Sequence, residues 1–224
     1  MTTSTEPFFV KTCSLAAIAT GQRASSLLEL RDRIASIEAS SIYFHFWGGH
    51  MYPQFAHTQH HNDFSNWVYH RLHDNALSEQ LSVIDPTEFE NLEELRQEVL
   101  ETIEKRLDDY EIIFWTMKED QFHFIDSTIV VFDSSLNISN PEDLPNVIPM
   151  LPPSSIFYHF IDARTRTPDK VDDFSTWLKV FGNKYDSLIE KIQSIDPYFL
   201  SLTEFRDELA KVLQNYFEKR VDNG

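Results

Sequence analysis

Glycine is scarce in this chain, five in 224 residues. Neither GxGxxG nor GxxxxGK[ST] occurs, which removes the loops that cradle dinucleotides and nucleotide phosphates. A single cysteine, Cys13, leaves no internal disulfide to form and fits a reducing compartment. No apolar run comes near the roughly 20 residues that cross a bilayer, and the opening MTTSTEPFF lacks the basic start and apolar core of a secretory leader. Basic residues are in deficit, 19 Lys and Arg against 36 Asp and Glu, for a formal charge of −17. A surface this acidic repels phosphate backbones and anionic headgroups. Neither nucleic acid nor membrane is therefore an expected partner, and the expected location is the cytoplasm.

Aromatic residues are plentiful, with 18 Phe, eight Tyr and four Trp in a chain that is 42% hydrophobic. That supplies ample apolar area for a core. One stretch recurs: SSIYFHF at 40–46 returns as SSIFYHF at 154–160. Residues 8–46 lie over 122–160 without a gap, aligning Phe8 with Phe122, Leu30 with Leu144 and Ile34 with Ile148. Further on, NDFSNW at 62–67 meets DDFSTW at 172–177, VIDP at 83–86 meets SIDP at 194–197, and NLEELRQEV at 91–99 meets SLTEFRDEL at 201–209. Landmarks in one order, twice, read as a tandem duplication of a unit of roughly 100 residues.

Each copy reads as mainly helical. Leu92, Leu95, Val99, Ile103 and Leu107 recur at steps of three and four, as do Leu202, Phe205, Leu209, Val212, Leu213 and Tyr216, so each final helix presents one apolar stripe. Asn91 and Ser201 are the expected N-caps, with Glu94 and Glu204 as capping-box partners. NDFSNW and DDFSTW open a second helix, capped by Asn62 or Asp63 and by Asp172 or Asp173. Asp85-Pro86 and Asp196-Pro197 read as a cap and the proline of a first turn. A helix is expected over Leu27–Ile37, whereas its counterpart PEDLPNVIPMLPP, with five prolines, holds a turn or two. EIIFWTM and FHFIDSTIVVF around KEDQ resemble a β-hairpin, and PFFVKT adds a strand as the first-copy equivalent of QFHFID. The expected fold is thus α+β and mainly helical, two copies related by a pseudo-twofold with a small antiparallel β element. The expected division is 1–110 and 122–224, joined by a connecting hairpin segment at 111–121 and fused into one globular domain.

The S-I-Y-Y-H-like heptad, a loop, N-D-F-x-x-W, I-D-P and a last helix containing L-R are together similar to an uncharacterised bacterial and archaeal domain family of unknown function. The resemblance covers nearly the whole chain and is best in SSIYFHF, NDFSNWV and LSVIDPTEFENLEELRQEV. It implies no activity and transfers no catalytic residue.

Three groups of residues can carry chemistry. His45 and His159, set among large apolar neighbours, need hydrogen-bond partners, and Asp63 and Asp173 are the natural ones. Such a pair is either a structural tie or an oriented ligand or base. Beside the second pair lies RTRTPDK, the one locally basic loop, where Arg164 and Arg166 can meet a phosphate or carboxylate. Seven of the nine histidines fall between positions 45 and 73. Of these His57, His60, His70 and His73, with Asp74, form a candidate divalent-metal site, although no HExxH or HxH spacing is present. Arg96 and Arg206, in one slot of the two copies, are expected to meet Asp85 and Asp196. No catalytic motif stands out and no cofactor is required beyond that possible metal. The leading expectation is a non-catalytic binding or adaptor protein acting on a protein partner or on a second copy of itself. The alternatives are a sugar-phosphate or other anion-binding protein or enzyme, or a metal-dependent protein.

Overall fold

The computed structural model describes residues 6–51, 60–108, 120–167 and 169–221. Two long strands, β1 (Phe8–Ala24) and β2 (Phe122–Ile138), form a two-stranded sheet. The Ser134 hydroxyl donates to the carbonyl of Val10 at 2.6 Å, and that of Thr20 to Phe124 at 2.8 Å. Pairing of the late part of one strand with the early part of the other makes the sheet antiparallel. All other regular structure among the described residues is helical, so the fold is α+β and mainly helical.

The chain divides into two compact units: unit A, Leu15–Ile129, and unit B, Met1–Ser14 with Val130–Gly224. Both strands therefore contribute to both units. Residues 8–14 belong with the later helices, and residues 122–129 with the earlier ones. Boundaries at 110 and 122 separate the helices, but not the strands. The expected first arm of the hairpin, EIIFWTM, lies outside the described residues; among those described, β2 pairs with β1.

In unit A, α1 (Leu27–Ile34) starts at Ser26, whose side chain accepts the N–H of Glu29. Helix α2 (Ala39–Met51) carries the heptad and is apolar almost all round, burying Ile42, Tyr43, His45, Phe46 and Trp47, the pattern of a central helix. Next comes α3 (Asp63–Trp67), which runs on as a π-helical turn over Val68–Leu72 and stops at His73 in the left-handed region, φ 56°. Helices α4 (Asn75–Ser82) and α5 (Leu92–Asp108) complete the unit, α5 burying Leu95, Val99 and Ile103 on the stripe its spacing predicts.

Unit B replaces α1 with proline-broken turns around α6 (Leu144–Val147). Its heptad is split into α7 (Pro153–Ile156), a π-helical stretch Phe157–Asp162 and α8 (Ala163–Arg166). There follow α9 (Asp173–Lys179), α10 (Asp186–Gln193) and α11 (Leu202–Val221). Ser201 and Glu204 form the full capping box: the serine hydroxyl accepts the N–H of Glu204 at 3.2 Å, and the glutamate accepts that of Ser201 at 3.0 Å. Asn91 accepts the N–H of Glu94 at 3.0 Å in the same role.

Two local expectations fail. Asp85 and Asp196 do not start helices; each folds back as an Asx turn, accepting the N–H of Thr87 or Tyr198 at 2.8 Å. Arg96 and Arg206 do not meet them either. Buried Arg96 grips the carbonyl of Ile34 and, at 2.8 Å, Glu93, while Arg206 donates to the carbonyl of Leu151 at 3.2 Å. A carbonyl left open at the end of a helix or turn offers a guanidinium more than an acid already folded onto its own backbone.

Candidate functional site

The heptad histidine of each unit sits at the centre of one repeated arrangement. In unit A, α2 carries His45 and α3 carries Asp63; Nδ1 and Oδ2 lie 2.8 Å apart. The other ring nitrogen, Nε2, accepts the backbone N–H of Ile125 on β2 at 3.1 Å. In unit B, His159 Nδ1 meets Asp173 Oδ2 at 2.8 Å, and Nε2 accepts the N–H of Lys11 on β1 at 2.8 Å. A nitrogen that accepts an N–H carries its lone pair, so the proton is on Nδ1 and points at the carboxylate. Both rings are 3% exposed. Neither has a nitrogen left over to bind a metal or to take a proton from a substrate.

Aromatic rings pack around each imidazole in matching order. Phe122 lies 4.7 Å from His45 and stacks on Phe64 at 5.2 Å; Phe8 lies 4.8 Å from His159 and stacks on Phe174 at 4.9 Å. The indole N–H of Trp67 donates to the carbonyl of Asp120 at 2.7 Å, and that of Trp177 to Glu6 at 3.0 Å. The sequence reading missed these strand contacts. Their signal was available in the gapless alignment, where 122 falls on 8, 125 on 11 and 120 on 6.

The surroundings of the two acids differ. In unit B the guanidinium of Arg166 bridges Asp162 (Nε to Oδ2, 2.7 Å) and Asp173 (Nη2 to Oδ2, 3.1 Å), donates to the carbonyl of Tyr158 at 3.0 Å, and lies 4.2 Å over the Tyr158 ring. Burial pushes the Asp162 carboxyl above its ordinary range, and Arg166 opposes that rise. Arg164 sits 4.3 Å over the Phe160 ring. The sequence had grouped Arg164 and Arg166 as a mouth for an anion; Arg166 is already engaged by two carboxylates. Asp63, by contrast, borders a cavity of about 370 Å³ in unit A, shared with Trp67, Arg71, Asp120, His70 and His123. There Arg71 is paired with Asp120 at 2.6 Å.

Of the residues expected as metal ligands, His60 and His70 lie close, with ring centroids 6.4 Å apart. His57 lies outside the described residues. His60 is buried with Nδ1 3.1 Å from the Ser78 hydroxyl, and burial, followed by the neighbouring His70, pulls its basicity down. His70 and His73 are exposed. Asp74 is buried, caps α4 at Leu77 and forms a double contact with Arg106 at 2.6 and 2.7 Å. Among the described residues no group of three His, Cys, Asp or Glu side chains gathers as a metal ion requires.

The profile of the family of unknown function DUF5752 matches residues 5–214. The chain belongs to that family. Its fold is also that of OrfY from Thermoproteus tenax, to which it is similar with 25% sequence identity and a TM-score of 0.80 over 95% of this chain and 96% of that one. Comparison with curated proteins finds no match. No helix among the described residues is long and apolar enough to cross a membrane.

Proposed function

We propose that this member of the family is a non-catalytic, cytoplasmic adaptor that binds a basic protein partner through the exposed ribbon of unit B. The observation that carries the reading is the apolar surface of that ribbon. Phe9 is 58% and Phe132 50% exposed, with Val130, Val131 and Leu136 also open to solvent. In a two-stranded sheet each strand has an outer edge that no third strand covers, even where, as at Lys11, a side chain takes one N–H, and apolar side chains next to such an edge suit strand addition by a partner. The charge of −17 favours a basic partner over a second acidic copy of the chain, both in steering and in contact.

The matched His, Asp, Trp and Phe contacts of the two units support descent from a duplicated unit, in which the histidine's task is to fasten a strand to two helices. An anion site at His159, Arg164, Arg166 and Asp173 has less support, because Arg166 is held by acids. A metal site at His60, His70, His73 and Asp74 has less still, because Asp74 is paired with Arg106.

The test is capture from the native host's lysate with wild type, Phe9→Asp, Phe132→Asp and, as a control on another element, Val180→Asp. A basic protein retained by wild type and Val180→Asp and lost by both ribbon variants is the expected result. A partner indifferent to the ribbon variants, or a ribbon-dependent dimer seen by light scattering, overturns the reading.

A further inference from the structure

The geometry points to the cavity of unit A as a binding site for a guanidinium group, either free or at the end of an arginine side chain. Unit B displays the occupant. There Asp173, which holds the ring of His159, also receives a guanidinium: Arg166 reaches Oδ2 at 3.1 Å, stacks on Tyr158 and donates to the Tyr158 carbonyl. The planar fork of arginine suits such a place, giving two directions of hydrogen bonding and a face to lay on a ring.

In unit A the acid in the same role, Asp63, meets no guanidinium or ammonium among the described residues. Its side chain is 44% exposed, against 22% for Asp173, and His45 is its one hydrogen-bond partner among the described residues. Gly48 stands where unit B has Asp162, so the second carboxylate that draws Arg166 inward has no equivalent there. In front of Asp63 lies the cavity of about 370 Å³, within the range of small-ligand sites of roughly 300–1,000 Å³. Its one guanidinium, Arg71, is neutralised by Asp120 at 2.6 Å. Trp67, Phe122 and Ile125 supply apolar wall for an alkyl stem, while His70 and His123 stand at the polar side. A carboxylate held only by a neutral imidazole among the described residues, in a partly desolvated recess of an acidic protein, selects a cation, and this chain's own unit B shows which cation fits.

The inference stands apart from the adaptor reading, since a free guanidinium compound fills the cavity as readily as a partner's arginine. Calorimetric titration of the full chain with agmatine, with N-acetyl-arginine methylamide and with L-citrulline, the uncharged near-isostere of arginine, tests it. At least one guanidinium probe binds saturably and citrulline does not. Equal binding of agmatine and the capped arginine assigns the source to a polypeptide side chain; binding of agmatine alone assigns it to a small molecule. Asp63→Asn, which keeps an oxygen for the Nδ1–H of His45, weakens binding about tenfold or more, the scale of a lost charge-assisted bond. Circular dichroism shows whether that variant is folded, and Val180→Asp, at an exposed position of unit B away from the cavity lining, retains binding. Citrulline binding as well as agmatine, folded Asp63→Asn binding as wild type, or no probe binding at all overturns the proposal.

Discussion

The backbone N–H of Lys11 donates to Nε2 of His159 at 2.8 Å, closing the second nitrogen of a ring whose first is held by Asp173. A strand is thereby tied to two helices by one side chain. His159→Ala leaves a half-buried N–H without its acceptor, takes one of two donors from Asp173 Oδ2, which keeps Arg166, and removes the ring packed against Phe8 and Phe174. The expected loss is about 1–3 kcal/mol from the lost hydrogen bonds alone, read as a fall in the urea midpoint. His45→Ala lowers it likewise in unit A.

Asp172 caps α9 with Oδ1, accepting the N–H of Ser175 at 2.8 Å, while Oδ2 is buried and without a partner. Its counterpart Asn62 caps Ser65 identically and uses the freed amide to donate to the carbonyl of Leu81 at 2.8 Å. Burial, opposed by Arg164, pushes the Asp172 carboxyl up. The folded chain therefore gives up this proton at higher pH than the unfolded chain, which releases it in the ordinary carboxylate range. Stability then falls as pH rises from that range towards the raised folded value. Asp172→Asn keeps an oxygen for the cap and removes the titrating group, so it flattens this slope. Denaturation series across pH on both proteins provide the check, and a slope unchanged in the variant refutes the assignment to Asp172.

Asp74 belongs to a buried ion pair. Removing it takes a double ion contact from Arg106 and uncaps α4, so Asp74→Ala costs up to about 3–5 kcal/mol, the scale of a broken buried pair. Zinc, manganese or iron leaves the melting temperature of the wild type unmoved. A metal-dependent rise that disappears in the Asp74 variant counts against this.

How much could be foreseen depended on distance along the chain. Caps at Asn62, Asp172, Asn91 and Ser201 were legible because a cap is a contract between residues three apart. The His45–Asp63 and His159–Asp173 pairs were legible because both members recur at matched places. Strand β1 was only half seen: PFFVKT alternates, but SLAAIATG has neither alternation nor β-branched density, and its extension depends on pairing with β2. The exchange of strand ends between units left no local trace, and neither did the capture of Ile34 and Leu151 carbonyls by Arg96 and Arg206, which lie 62 and 55 positions away. The histidine crowd is the least legible feature, since density in sequence does not fix how side chains converge, and left-handed His73 ends the turn that carries His70.

Cys13 provides a last check on how tightly the strand of unit B is seated. Its thiol is buried and reaches towards the carbonyl of Ser154 at 3.4 Å, next to the Thr12–Ser154 hydroxyl contact of 2.6 Å. Burial, with Asp162 adding to it, pushes the thiol up to about 12. The thiolate is the reactive form, so at neutral pH the native protein resists a thiol-specific disulfide reagent that the urea-unfolded chain consumes stoichiometrically. Because modification requires β1 to lift from the helices, its rate reports that opening. In His159→Ala, where the N–H of Lys11 has lost its acceptor, Cys13 reacts faster than in wild type, and faster than in His45→Ala, whose lesion lies in unit A. Equal rates in the two variants mean that the histidine does not hold the strand.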